Sequence, residues 1–329
     1  MNKDGIILFA KPKGPTSFNS ISAIKRALDT TKVGHTGTLD SFAQGLLVVC
    51  TGRLTKLAGN IIEFDKSYSA VIKFGEETDT LEYTGNVVKT SALPSLKNLE
   101  EAVKAFTGKI MQTPPVFSAI HINGKRASDL IRQGQEVQME SREVQIHSAD
   151  IKETKLSADG LVEYALIDFN VSKGTYIRCL ARDIAQKAGS TGHLLGLYRT
   201  KVGNFNIEDA AGFNLLEPFT INSVIKNRDI DVDSRTIDLT DEIINKMKTF
   251  DEEAARLCGF SIIHLNSLQA DDDFRNGRPL RSKNFDTNLY TIPENTMLAV
   301  YTSENDFAGL IEKNQEKRIK YKMVINLKD

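Results

Sequence analysis

An uninterrupted apolar run at residues 5–10 predicts a short strand. Pro12, Gly14 and Pro15 then punctuate a turn, and Thr16 or Ser17 caps a helix whose apolar stripe is Phe18, Ile21, Ile24 and Leu28. Residues 34–45 carry three glycines, small side chains and one His, which predicts a loop feeding an apolar core strand at 46–49. Residues 66–74 alternate cleanly, with Tyr68, Ala70, Ile72 and Phe74 on one face of a half-buried strand. A short amphipathic helix follows at 96–106. Pro114 and Pro115 bar residues 111–118 from a helix interior, so that stretch is extended. Residues 125–133 predict a short basic helix bounded by glycines. Strands at 144–151 and 161–170 pair around the Asp159-Gly160 turn. Ile177, Leu180, Ala181, Ile184 and Ala188 mark a helix starting near Thr175, and 194–197 returns to a strand.

Beyond this the pattern changes. Residues 225–255 are charged, poor in aromatics and weakly periodic, which marks a boundary region. Residues 256–329 carry Gly277, Pro279, Pro293 and Gly309 between β-like runs at 298–301, 307–311 and 321–327, predicting a small all-β domain. With 329 residues, 40% of them apolar, the chain supports a real core and more than one domain. Its opening apolar run is too short for a signal peptide or a membrane span. Cys50, Cys179 and Cys258 are far apart with no CxxC pair, so neither a disulfide framework nor a metal site is expected. The expectation is a soluble, cytoplasmic protein with no membrane association. The net charge of −1 does not advertise a nucleic-acid partner, yet the first 60 residues carry eight Lys or Arg against three acids. That charge permits RNA binding without predicting it.

Three neighbourhoods carry candidate chemistry. Asp40 ends the Gly-rich segment GHTGTLD directly before an apolar strand, where a carboxylate is held rigidly yet faces a cleft. The same position suits an Asp that caps a turn, and the residues alone leave both readings open. In SKGTYIRCLARD, Tyr176 and Arg178 share a face of an extended stretch, so the Arg can meet a carboxylate while the Tyr packs on a planar ligand; a solvent-facing Arg and a core-edge Tyr fit equally. Tyr68 lies on the apolar face of its strand, which by itself reads as core. Lys11, Lys13, Lys125, Arg126 and Arg132 are candidate phosphate contacts. No Walker loop, dinucleotide fingerprint, HExxH, GxSxG or kinase signature occurs.

Six blocks taken together resemble one family. KPKGPTS at 11–17, GHTGTLDSFAQGLLVVCTGRLTK at 34–56, the strand from Lys66 through KSYSAVIKFG, QTPPVFSAIHINGKRA at 112–127, KGTYIRCLARD at 173–183 and GHLLGLYRTKVGNF at 192–205 closely resemble the bacterial-type tRNA pseudouridine synthase B family, in the family's order. The resemblance implies an α+β pseudouridine synthase fold: a mixed, largely antiparallel sheet flanked by helices and loops, plus a small C-terminal PUA-like β domain. It divides the chain into a catalytic domain at 1–245, with an insertion around 110–150 that binds the TΨC arm, and an RNA-binding domain at 250–329. The implied activity is isomerisation of uridine 55 in the TΨC arm of tRNA, without a cofactor, by a monomer needing no obligate protein partner. Asp40 then matches the nucleophile, Tyr68 the aromatic that stacks on the target base, and Tyr176 and Arg178 the pocket residues, the Arg paired with the nucleophile. Leu197 matches the apolar lining of the base pocket, His35 the group that occupies the space left by the flipped nucleotide, and Lys11 and Pro12 a basic turn near the loop. Lys125, Arg126 and Arg132 stay as backbone-reading positions. The chain departs from the family at Ser41, where Pro is usual, at Ala43-Gln44-Gly45, at Glu82, where Asp is commoner, and at His121, where Lys is usual. Two rivals remain: a related synthase acting on another RNA, and a tRNA-binding folding factor with secondary catalysis.

Overall fold

The computed structural model describes residues 3–118, 130–131, 137–229, 238–313 and 319–325, and the backbone at 121–122 and 125–126. The chain opens with β1 (Gly5–Lys11), α1 (Ser17–Ser20), α2 (Ser22–Ala27), β2 (Val33–His35), β3 (Gln44–Thr51), α3 (Ala58–Ile61) and β4 (Lys66–Phe74). A hairpin of β5 (Glu76–Thr78) and β6 (Val87–Thr90) precedes α4 (Leu96–Ala105). Then come β7 (Gly108–Gln112), the two-residue strands β8 (His121–Ile122) and β9 (Lys125–Arg126), and the long strands β10 (Arg142–Leu156) and β11 (Val162–Val171). Helix α5 (Ile177–Lys187), β12 (Gly192–Val202) and β13 (Phe205–Asn206) complete this part.

The large sheet has the order β1-β3-β12-β4-β11-β10-β7, with β2 paired to β3 and β13 to β12. Only the β3–β12 contact among these is parallel, so the sheet is mixed and largely antiparallel. Its apolar runs divide by alternation. In β1 and β3, Ile7, Phe9, Leu47 and Val49 enter one core with Tyr68, Ala70 and Ile72 of β4 and the buried faces of α2, α4 and α5. Ile6, Leu8, Ala10, Leu46, Val48 and Cys50 enter a second core on the opposite face. Burial on both faces is why these strands read as unbroken apolar runs, whereas β4 alternates. The free edge of β1 is closed by backbone pairing: Ile6 exchanges N–H···O bonds of 2.9 Å with Lys248, and Ala211 bonds the Ala10 and Leu8 backbones.

The C-terminal part comprises α6 (Ile221–Asn227), α7 (Thr240–Lys246), α8 (Glu252–Leu257), β14 (Ser261–His264), α9 (Leu268–Arg275), β15 (Thr296–Tyr301), β16 (Phe307–Lys313) and β17 (Ile319–Val324). The four strands form one sheet in sequence order around a core of Ile263, Phe274, Leu298, Val300 and Ile311. Their other face contributes Ala299, Tyr301, Leu310 and Met323 to the second core of the large sheet.

Several sequence expectations need correction. The segment 256–329 is not all-β: α9 supplies Ala270 and Phe274 to its core, and β14 was hidden in a four-residue run. The region 225–255 is not a featureless boundary, since α7 packs against α2 and β1 and buries Ile243. Phe18 leaves the predicted stripe and is 65% exposed, because the helix breaks at Ile21 and only Ile21, Ile24 and Leu28 turn inward. The basic helix expected at 125–133 does not begin at Lys125: Lys125 and Arg126 pair with Ile122 and His121 as a β-ribbon, and helical backbone is described only at 130–131. Arg132 lies outside the described residues.

Candidate active site

The segment from Gly37 to Gly45 has no ladder partner for most of its length, so its backbone groups must be satisfied by side chains. Three elements do this. Ser17, at the start of α1, accepts the Leu39 N–H at 2.8 Å and donates to the Leu39 carbonyl at 3.0 Å. Lys11, at the end of β1, is fully buried, and its ammonium donates to the carbonyls of Pro12 (3.0 Å), Ser41 (3.3 Å) and Ala43 (2.6 Å). Arg199, on β12 and 2% exposed, donates to the carbonyls of Leu46 (2.7 Å), Gly37 (3.0 Å) and Thr38 (3.4 Å). The loop is thereby fixed at both ends, and Asp40 projects from its middle.

Asp40 meets Arg178 of α5 in a two-point pair, Oδ2 to Nε at 3.0 Å and Oδ1 to Nη2 at 3.3 Å. The Arg178 side chain is 7% exposed and the Asp40 side chain 35% exposed, so the guanidinium is sequestered while the carboxylate still reaches solvent. The remaining Arg178 donors go to Thr80 O (3.2 Å) and Phe117 O (3.0 Å). Thr80 and Glu82 flank Leu81, a non-glycine residue with φ of 62°, a left-handed conformation that side chains disfavour. Both flanking residues line the same cavity as Asp40.

That cavity has a volume of about 610 Å³ and is walled by Tyr68, Leu197, Tyr176 and Phe117 beside Asp40. Tyr68 stands opposite Arg199 across the β4–β12 ladder, and Leu197 opposite Ala70, so the two strands present the floor. Among the described residues the Tyr68 hydroxyl makes no hydrogen bond, leaving an aromatic face and a free polar tip. Tyr176 precedes α5, and its backbone is clamped by Gln112 of β7: the Tyr176 N–H donates to Oε1 at 2.8 Å and the carbonyl accepts from Nε2 at 3.1 Å. Burial raises the pKa of Glu82, the nearby Asp40 charge adding to this. Burial pulls Lys66 down to about 8 and Lys11 to about 7, the latter opposed by Asp40. Among the described residues the lining holds four cations, Lys66, Arg142, Arg178 and Arg199, against two carboxylates, Asp40 and Glu82, which suits an anionic ligand.

The profile of the TruB family pseudouridylate synthase (N terminal domain) matches residues 25–177. A tRNA pseudouridine synthase B of Treponema denticola is 52% identical over 234 residues, spanning 67% of this chain and 66% of that protein. A namesake from Bordetella avium is 42% identical over 221 residues, spanning 66% of this chain and 88% of that protein. The chain belongs to the TruB family of pseudouridylate synthases. In the solved Cbf5-Nop10-Gar1 complex, one chain superposes with a TM-score of 0.65 at 21% identity, over 97% of this chain and 84% of that one, which shows a shared fold.

Within this TruB-family chain the structure brings Asp40, Tyr68, Tyr176, Arg178 and Leu197 to one cavity. His35 is not among its lining residues; its Nδ1 accepts the Gly37 N–H at 3.4 Å, and burial, then the Arg199 charge, lowers its pKa. Lys11 and Pro12 are corrected most clearly. Both are buried, and the Lys11 ammonium is consumed by three carbonyls, so it braces the loop instead of meeting phosphate. The side chains of Lys125 and Arg126 fall outside the described residues. Sequence reasoning missed Arg199 and Gln112, although both sit in recognised blocks. Arg199 is two residues beyond Leu197 on one strand, and that spacing was the available signal.

Proposed function

We propose that the chain isomerises uridine 55 in the TΨC arm of tRNA to pseudouridine, with Asp40 as nucleophile. The observation that carries this reading is the two-point Asp40–Arg178 pair facing the 610 Å³ cavity beside the Tyr68 ring. A base within a folded arm reaches such a pocket only by leaving its stack. Tyr68 then offers a flat face to the uracil, worth roughly 1–3 kcal/mol by analogy with single-stranded complexes. Arg178 orients the carboxylate towards C1′ and balances its charge from the buried side of the cavity.

The chemistry needs no external atom or electron. The Asp40 carboxylate attacks C1′ as the N1–C1′ bond breaks, and the uracil leaves with the bond's electron pair. The base turns within the pocket, C5 bonds to C1′, the carboxylate is released, and the C5 proton departs to N1. The rigid loop holds Asp40 at one place while the base moves, and the smooth walls of Leu197 and Tyr68 allow the turn.

We further assign residues 1–245 as the catalytic domain and 250–329 as a PUA-like RNA-binding domain, supported by the core that the C-terminal sheet builds on one of its faces from its own strands and α9. The insertion around 110–150 is read as the arm-binding element, because β7 and β10 pair at the sheet edge and the chain between them leaves and returns there. A cytoplasmic monomer without cofactor or obligate protein partner completes the reading. The test is tritium release from C5-labelled uridine in unmodified tRNA, followed by mapping of the product. Release matched by pseudouridine at position 55 is expected; product outside the T arm overturns the substrate, and no release overturns the reaction.

A further inference from the structure

Arg142 opens β10, directly opposite Gln112 across the sheet edge, and lines the cavity that holds Asp40. The other three cations of that lining are spent. Arg178 is committed to Asp40 and two carbonyls, Arg199 to three carbonyls, and Lys66 to the carbonyls of Ile62 (2.7 Å) and Phe64 (2.6 Å). Arg142 differs. Its Nη2 donates to the Gly174 carbonyl and its guanidinium carbon lies 5.2 Å from the Tyr176 ring centroid, yet among the described residues no carboxylate pairs with it. Its Nε is buried with no hydrogen-bond partner. The cost of that orphaned N–H comes on top of a guanidinium charge that no described carboxylate balances, which leaves the charge free to attract an anion from the cavity.

We propose that Arg142 binds a phosphate of the RNA backbone next to the flipped uridine. The Tyr176 ring and the Gly174 carbonyl fix the guanidinium, so an unpaired positive charge stands at one place in the cavity lining, where phosphate oxygens can meet its outer N–H groups. A neutral base edge would satisfy the N–H but leave the charge uncompensated, whereas a phosphodiester satisfies both. The nucleotide is then held by its backbone at Arg142 while Asp40 addresses C1′ on the same sugar. This rests on the RNA-modifying reading above and adds a residue that reading does not use.

The experiment is a coupling cycle on binding. Wild-type protein and Arg142→Gln are titrated with an unmodified T-arm stem-loop and with the same RNA carrying one methylphosphonate, placed singly at each phosphate flanking the target uridine. Each change alone is expected to weaken Kd about tenfold, and at one phosphate the two together are expected to weaken it no more than either alone. Arg142→Lys, which keeps the charge but not the fork, is expected to recover part of the loss. A misfolded variant cannot produce coupling confined to one phosphate. Losses that simply add at every position, or an Arg142→Gln protein that binds as wild type does, overturn the inference. Tritium release by the wild-type protein on the same stem-loop, run in parallel, reads the underlying function separately: binding without release sinks the reaction while the cycle still decides the phosphate contact.

Discussion

At the residue scale, Lys11 carries three N–H donors as an ammonium, and three carbonyls surround it in the turn that braces Asp40. Burial nonetheless lowers its pKa to about 7 from an ordinary 10.5. Between those values the unfolded chain binds more protons than the folded one, so this residue makes stability rise with pH from about 7 to 10.5. Urea unfolding of the wild type and of Lys11→Met across pH 6.5–10 should show the wild type gaining on the variant as pH rises; a constant difference would contradict it. The sequence placed Lys11 correctly beside the loop but on the wrong side of the surface. A Lys in a KPxG turn looks solvated until the strand before it is seen to run inward, and burial of a long charged side chain leaves no trace in local pattern. Asp40 and Arg178 stood out as candidates in their own neighbourhoods, but their partnership, which spans 138 positions, was legible only through the block resemblance.

Among elements, the junction of β3 with β12 matters most, because these strands carry Gly45 and the floor residue Leu197. Gly45 has φ of +119°, and a Cβ there would sit 2.4 Å from the Arg199 carbonyl oxygen. The backbones meet closely in the short parallel pairing, where Gly45 lies opposite Arg199. Gly45→Ala should therefore destabilise the fold by at least about 1–3 kcal/mol through backbone strain alone, with turnover falling more than global stability as Arg199 shifts from the loop. Chemical denaturation with parallel assay checks this, and unchanged stability would refute the close approach. Alternation in β4 and the stripe of α5 were plain in the sequence because each buries one face. Helices α7 and α8 were not, since at seven and six residues they are too short to show a period; α7 owes its form to packing on α2 and β1, and α8 to packing on β14.

For the whole molecule, the two sheets are not separate bodies joined by a linker. Tyr301 of β15 is buried in the core that also holds Ile6, Leu8, Leu46 and Val48, and its hydroxyl donates to the Phe250 carbonyl at 3.2 Å. Composition suggested a boundary near 225–255, and hydrophobic pattern alone does not reveal that a second sheet shares the first sheet's core. Tyr301→Ala should lower stability by about 3–5 kcal/mol, the range for emptying an aromatic site, and should speed amide exchange in β1 as well as in β15. Faster exchange restricted to residues 296–324 would show that the C-terminal sheet folds on its own.

The proposed function requires Asp40 to act on the substrate and not merely to shape the loop. Parallel turnover and filter-binding assays of Asp40→Asn on unmodified tRNA address that directly. Asn keeps the shape and removes the proposed nucleophile, and an RNA affinity spread over many phosphates does not hang on one carboxylate, so turnover should vanish while Kd stays within about tenfold of wild type. Substantial pseudouridine formation by the variant would contradict the central claim.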